Sequence, residues 1–187
     1  LFITPEFDMT PVQEGWVTSM LLVGAAVGAL CGGRIADWIG RRMTLIIGGV
    51  IFIVGSVWCA LAPGVMQLGA ARTLLGVAVG AVSIVSPMFI SEMAPPSVRG
   101  KLVSMNSLAI VVGQLVAFSV NSALAHTGNW RLMLLLAFIP GAMLAIGMLF
   151  VTDTPEWFAA KGDKEKARTI AASMGMQEGD YNSSEAT

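Results

Sequence analysis

The sequence is poor in charged residues. Only 12% of its 187 residues are Asp, Glu, Lys or Arg, whereas soluble globular domains contain about 25%. Hydrophobic residues make up 55% of the chain, and the mean hydropathy is +0.74. So few charges cannot cover the surface of a soluble domain, and a chain this apolar is not intrinsically disordered. The composition therefore indicates a membrane protein.

Cysteine and histidine are also scarce, and positive charge is not in excess. Two cysteines, Cys31 and Cys59, cannot build a disulfide scaffold. The only histidine, His126, cannot complete a metal site or a catalytic triad. A net charge of −1 provides no basic surface for nucleic acid. We therefore expect no enzyme activity, no cofactor, no metal and no nucleic-acid partner.

Five long runs, four without charge and one with a single arginine, define the organisation of the chain. A helix needs about 20 apolar residues to cross the bilayer core, and each run is long enough. Because backbone polar groups in lipid must bond internally, we predict an all-α membrane protein with five transmembrane helices. The predicted spans are 15–33, 43–61, 65–91, 102–125 and 132–152. Residues 1–153 would form the membrane domain, and residues 154–187 a cytoplasmic helical linker and polar tail.

Most basic residues lie on one side of the predicted membrane. The connections 34–42 and 92–101, with the tail after residue 152, hold nine of the eleven. The positive-inside rule places this side in the cytoplasm, with the N-terminus outside and the C-terminus inside, in a plasma or bacterial inner membrane. The outer N-terminal stretch is acidic and has no signal sequence. We therefore expect the chain to be an internal fragment that follows another span.

Small residues recur at helical spacing in two of the runs. Gly24, Gly28 and Gly32 lie on one face of the first run, and Gly76 and Gly80 lie on one face of the third. Small side chains allow helix backbones to approach closely in lipid. This spacing predicts two helix–helix contact faces.

The two cytoplasmic connections carry specific polar residues. In the first, Gly40 allows a tight reversal, and Asp37 can cap a helix or pair with Arg41. In the second, a proline pair breaks the helix between Glu92 and Arg99, and these two side chains could form an ion pair.

Through these and other polar residues, the sequence resembles the sugar porters of the major facilitator superfamily over about residues 1–170. Five family patterns occur in order: G-x-x-x-D-[RK]-x-G-R-[RK], R-x-x-x-G, E…RG[KR], G-Q-L and W-R. The matching residues are Gly33, Asp37, Gly40, Arg41, Arg42, Arg72, Gly76, Glu92, Arg99, Gly100, Lys101, Gly113, Gln114, Leu115, Trp130 and Arg131. The resemblance implies the second to sixth helices of a twelve-helix transporter, whose first helix and C-terminal half would be partners of this chain.

The resemblance also implies a cytoplasmic gate. Its residues would be Gly33, Asp37, Gly40, Arg41, Arg42, Glu92, Arg99 and Asp153. The sequence departs from the family at two positions: Trp38 stands where a basic residue is usual, and Glu156 replaces an arginine. Asp153 keeps the family's acid, and we expect it to pair with Arg99 or Arg41.

Arg72 is the only charged residue within the third run. An ionisable residue inside a membrane is costly, and it usually has a partner or faces a cavity. The resemblance implies an acidic partner on the preceding first helix and a role in proton coupling. The alternative is an arginine that extends to the outer interface.

A neutral polar stripe follows the fourth run. Ser107, Gln114 and Asn121 recur at intervals of seven, so they share one helix face with Phe118 alongside. An uncharged polyhydroxyl ligand needs hydrogen bonds and an apolar surface for its C–H face. Gln114 also matches the family's sugar-binding glutamine. The alternative is a stripe that joins helices through hydrogen bonds of about 0.6 kcal/mol each.

These features predict transport of a sugar or polyol by alternating access, with proton coupling and within a lipid bilayer. One alternative is a facilitator for another small solute, such as an organic acid, which would need a basic residue deep in the cavity. Another is a membrane sensor that binds sugar without transporting it.

Overall fold

The computed structural model describes residues 8–126 and 129–177, and eight α-helices account for most of these residues. In chain order they are α1 (Pro11–Ile39), α2 (Arg41–Leu61), α3 (Val65–Met93), α4 (Pro96–Ala125), α5 (Trp130–Leu136), α6 (Phe138–Leu149), α7 (Pro155–Ala160) and α8 (Lys164–Ser173). Five segments are long and apolar enough to cross a membrane: α1, α2, α3, α4, and α5 with α6 taken together. The predicted all-α class with five apolar spans is confirmed.

The connection between α1 and α2 is much shorter than the polar loop 34–42 that the sequence suggests. Thr10 begins α1 with a capping box, in which its hydroxyl accepts from the backbone N–H of Gln13. The helix then continues through Ile39, so the turn is confined to Gly40. Gly40 has a φ of +101°, a backbone conformation that side chains with a Cβ disfavour.

The fifth apolar run is interrupted rather than continuous. Helix α5 ends at Leu136, and α6 begins at Phe138. Pro140 explains the interruption because it has no N–H to donate to the carbonyl of Leu136, four residues earlier. The break divides one predicted span into two helices.

Helices α1 and α3 pack with their backbones in direct contact, as the glycine spacing predicts. A Cβ at Gly24 or Gly28 would overlap the carbonyl oxygen of Thr73 or Val77 in α3. From the other side, a Cβ at Gly80 would overlap the carbonyl oxygen of Ala25. The two helices therefore form a rigid pair that leaves no space for larger side chains at these positions.

Helix α2 contacts both α3 and α6, and apolar cores lie at both ends of this bundle. One core contains Val17, Cys59, Leu68, Leu75 and Trp130, among others. The other contains Ala36, Leu45, Val85, Phe89 and Met148. Helix α4 contributes no buried residue to either core.

The segment after the last span forms two short helices. Thr154 caps α7, and Pro155 occupies its first position, in agreement with the sequence. The charged segment 161–174 of the predicted helical linker forms a shorter helix, because Asp163 caps α8 only after a turn at Gly162. The resemblance would make residues 1–3 the end of the first helix of the family; these residues and the polar tail 179–187 lie outside the described residues.

Candidate functional site

A buried ion pair joins the beginning of α2 to the end of α3. Arg41 Nε lies 3.1 Å from Oε1 and 3.0 Å from Oε2 of Glu92, which is only 6% exposed. Arg41 Nη2 also lies 2.8 Å from Asp37 Oδ1, and its Nη1 donates to the carbonyl of Ala36 at 3.2 Å. One guanidinium group thus holds three helix ends together with charge-assisted hydrogen bonds.

The expected pairing of Glu92 with Arg99 is wrong. Both carboxylate oxygens of Glu92 face Arg41, because α2 and α3 pack side by side and bring its guanidinium to the end of α3. Arg99 instead donates from Nε to the carbonyl of Ala94 at 3.4 Å. Its buried Nη2 has no hydrogen-bond partner among the described residues.

Asp153 does not form the predicted ion pair with Arg99 or Arg41. Its Oδ1 accepts a hydrogen bond from the backbone N–H of Arg42 at 3.1 Å, and a Cβ at Gly40 would overlap its carboxylate. The carboxylate therefore satisfies a free N–H at the beginning of α2, where negative charge is favourable. This contact requires the close approach that Gly40 provides.

The remaining donors of Arg42 bind backbone carbonyls of α6. Its Nε donates to Met148 at 2.9 Å, and its Nη2 donates to Leu149 at 3.0 Å. These carbonyls lie in the last turn of α6, where cations are favourable. Gly33, by contrast, has open space where a Cβ would lie, and it contacts none of these groups.

Helix α7 docks on the same groups through two side chains that the sequence did not single out as contacts. The fully buried hydroxyl of Thr154 donates to Glu92 Oε2. The indole Nε1 of Trp157 donates to the carbonyl of Asp37 at 3.3 Å. We refer to Asp37, Arg41, Arg42, Glu92, Asp153 and Thr154 as the charge cluster.

Glu156 lies beside the charge cluster at the beginning of α7. Burial raises the pKa of its carboxyl above the ordinary value, and the nearby carboxylate of Glu92 raises it further. The positive charges of Arg99 and Arg41 oppose this shift. The site therefore disfavours the negative charge of Glu156.

Arg72 lies within α3, partly enclosed by the bundle. Its Nε is buried and has no hydrogen-bond partner among residues 8–126 and 129–177. A buried guanidinium nitrogen without an acceptor is expensive. This position is therefore one where an acceptor from outside the described residues would be strongly stabilising.

The polar stripe of the fourth run lies on α4, with every member exposed. Ser107, Gln114 and Asn121 share one face, and Phe118 is 75% exposed beside them. No side chain elsewhere in the described chain covers them. These groups therefore lie on an open surface that is separate from the charge cluster and from Arg72.

Known proteins resemble this chain over most of its length. A sequence model of the family described as Sugar (and other) transporter matches residues 5–186. The galactose-proton symporter of Escherichia coli K12 is 44% identical over 160 residues, which are 86% of this chain and 34% of that protein. The arabinose-proton symporter of the same strain is 40% identical over 169 residues, 90% of this chain and 36% of that protein.

A solved structure shows the same fold. The proton:xylose symporter XylE of the major facilitator superfamily, bound to 6-bromo-6-deoxy-D-glucose, is similar with a TM-score of 0.83 at 30% identity. The match covers 88% of this chain and 40% of that one. The predicted major facilitator fold is therefore confirmed.

This chain belongs to the Sugar (and other) transporter family. The resemblance drawn from the motifs is confirmed by this match. The chain spans about a third of the length of the two curated relatives, 34% and 36%.

Proposed function

We propose that this chain is part of a membrane transporter that carries a sugar or polyol together with protons by alternating access. The observation that carries the proposal is the uncovered neutral stripe on α4 in a member of this family. Relatives named as galactose-proton and arabinose-proton symporters, and a structural neighbour named as a xylose symporter, support a monosaccharide as the substrate class.

The chemistry of the α4 stripe suits an uncharged ligand. Gln114 offers one amide acceptor and two donors, and Ser107 and Asn121 add further neutral groups on the same face. Such groups replace the water that a sugar loses on binding, whereas a charged side chain would attract an ion. Phe118 supplies an exposed ring for the C–H face of the ligand.

Arg72 would couple transport to the proton gradient. Its buried Nε lacks an acceptor among the described residues, and the resemblance to the sugar porters implies an acidic partner on their first helix. An acid that binds a proton in one state and Arg72 in the other would link protonation to conformation.

The charge cluster would act as the gate on the cytoplasmic side. It joins the ends of α1, α2 and α3 to α7 through Arg41, Glu92 and Thr154. Interactions that hold these ends together would stabilise one of the two states of alternating access. Gly40 and Arg42 position the cluster, and Arg99 would belong to the same gate.

The proposal includes a topology. The N-terminus would lie outside the cell and the charge cluster in the cytoplasm of a plasma or inner membrane, since most basic residues share that side. The five spans would be the second to sixth of twelve, in a membrane domain over 1–153. Residues 154–187 would lead to the second half.

Uptake by the full-length gene product tests the proposal. Cells that express it should accumulate at least one labelled sugar or polyol from a panel, and a protonophore should abolish the accumulation. An organic-acid panel in the same cells serves as the comparison. Accumulation of an organic acid alone would favour the facilitator for another solute, and sugar binding without uptake would favour the sensor.

A further inference from the structure

The side chain of Glu156 lies close to buried residues, but its carboxylate forms no hydrogen bond or ion pair among the described residues. It lies in the first turn of α7, directly after the buried pair Thr154 and Pro155, and it is half-buried. Among the described residues, no hydrogen bond or ion pair reaches its carboxylate; only burial and neighbouring charges act on it. An ionised carboxylate that loses water without gaining a donor is unstable.

The groups around Glu156 are already occupied. From α2, the guanidinium group of Arg41 already contacts Glu92, Asp37 and a backbone carbonyl. From α3, both oxygens of Glu92 are bonded. From α1, the Asp37 carbonyl holds Trp157, the neighbour of Glu156 in α7.

Charges of both signs act on Glu156. The carboxylate of Glu92 repels its negative charge, whereas the guanidinium groups of Arg99 and Arg41 attract it. Arg99, from α4, is the guanidinium group with a buried nitrogen that has no described partner, yet it does not bond to Glu156. Among the described residues, neither guanidinium group donates a hydrogen bond to the Glu156 carboxylate, so burial is not offset by a direct bond.

We propose that Glu156 binds a proton from water when α7 packs against the ends of α1, α2 and α3, so that acidification on that side of the membrane favours the packed arrangement. The proton adds to a carboxylate oxygen and leaves a neutral acid. Glu92 keeps its bonds to Arg41 and Thr154. The charge cluster thereby becomes sensitive to pH through a residue outside it.

The sign follows from linkage between proton binding and conformation. Burial and the Glu92 carboxylate raise the pKa of Glu156 when α7 is packed, whereas a hydrated glutamate titrates near pH 4.3. The packed state therefore binds the proton more tightly. The stabilisation of the packed state by this proton is complete below the hydrated pKa and is lost as the pH rises through the raised pKa. For one proton, the equilibrium constant for packing changes by at most about tenfold per pH unit.

Amide hydrogen exchange in α7 of the full-length protein tests this proposal. The wild type is compared with Glu156→Gln, which keeps the shape of the side chain without its charge, from about pH 3.5 to about pH 7, a range that begins below the hydrated pKa of glutamate. The ratio of wild-type to variant exchange rates in residues 155–160 cancels the intrinsic pH effect. We expect a ratio near one below the hydrated pKa of about 4.3 that rises severalfold with pH and levels off above the raised pKa.

Two further variants make the test specific. Glu165→Gln removes an exposed carboxylate in α8 and should give a ratio that does not change with pH, whereas Glu156→Asp should keep the pH dependence. A constant ratio for Glu156→Gln, an equal rise for Glu165→Gln, or a Glu156→Gln protein that does not fold would each overturn the proposal. Because uptake is not measured, this result is independent of the transport experiment.

Discussion

Arg41 and Glu92 are 51 residues apart in the sequence, yet Arg41 Nε lies 3.1 and 3.0 Å from the two carboxylate oxygens of Glu92. Their side chains are 12% and 7% exposed. This pair fixes the relative position of α2 and α3 at one end of the bundle. Thr154 then uses the same carboxylate to attach α7.

Removal of one partner of this pair should destabilise the protein. Glu92→Gln removes the buried carboxylate that accepts from Arg41 Nε and leaves that guanidinium group with the mostly exposed Asp37 as its acidic partner. Loss of one partner of a buried pair typically costs about 3–5 kcal/mol. Thermal unfolding of the full-length protein in detergent should show a clearly lower midpoint. Asp163→Asn, which breaks an exposed ion pair with Lys166, should leave the midpoint nearly unchanged.

The double variant Arg41→Gln/Glu92→Gln isolates the interaction between the two side chains. Because it leaves no lone buried charge, its loss of stability should be smaller than the sum of the two single losses. Additive losses would mean that the two side chains act independently.

Gly28→Ala should disrupt the packing of α1 on α3. The added Cβ overlaps the carbonyl oxygen of Val77, which is backbone and cannot rotate away. Overpacking of this kind costs about 1–3 kcal/mol, measurable as a lower unfolding midpoint. Gly147→Ala is the matched control, because nothing lies within 4 Å of its new Cβ. An equal effect of both substitutions would refute the direct backbone contact.

Arg72→Leu should abolish proton-driven accumulation of the substrate while downhill exchange persists. The substitution removes the buried guanidinium whose Nε lacks a described partner, and with it the group that would respond to protonation of an acid. Uptake against a gradient and counterflow in the same cells separate the two activities. Arg34→Leu, the same change at an exposed position of α1, should keep both. Normal accumulation by Arg72→Leu would remove Arg72 from the coupling mechanism.

Gln114→Ala should raise the KM for sugar uptake at least severalfold. The substitution deletes the central hydrogen-bonding group of the α4 stripe, and a lost hydrogen bond of about 1 kcal/mol corresponds to roughly fivefold in affinity. Initial rates over a range of substrate concentrations give the KM. Val112→Ala truncates an exposed side chain on the opposite face of α4 and should not alter it. An unchanged KM in Gln114→Ala would remove this residue from the binding site.

The helices, one contact face and one helix start could be predicted from the sequence, because they depend on local chemistry. Uncharged runs of spanning length predict helices wherever they occur, and the glycine spacing predicts a contact face because the helical period is fixed. Thr154 followed by Pro155 marks a helix start for the same local reason. The break at Ala137 follows from Pro140, although its position within the run was not predicted.

The tertiary structure alone decided which distant charges meet. Arg41 pairs with Asp37, as the sequence suggests, and the packing of α2 against α3 adds Glu92 as a second partner. Asp153 was expected to find a guanidinium group, but the turn at Gly40 presented a backbone N–H instead. Helix length and periodicity depend on neighbouring residues in the sequence. Ion-pair partners on separate helices depend instead on how those helices pack, which is a property of the whole bundle.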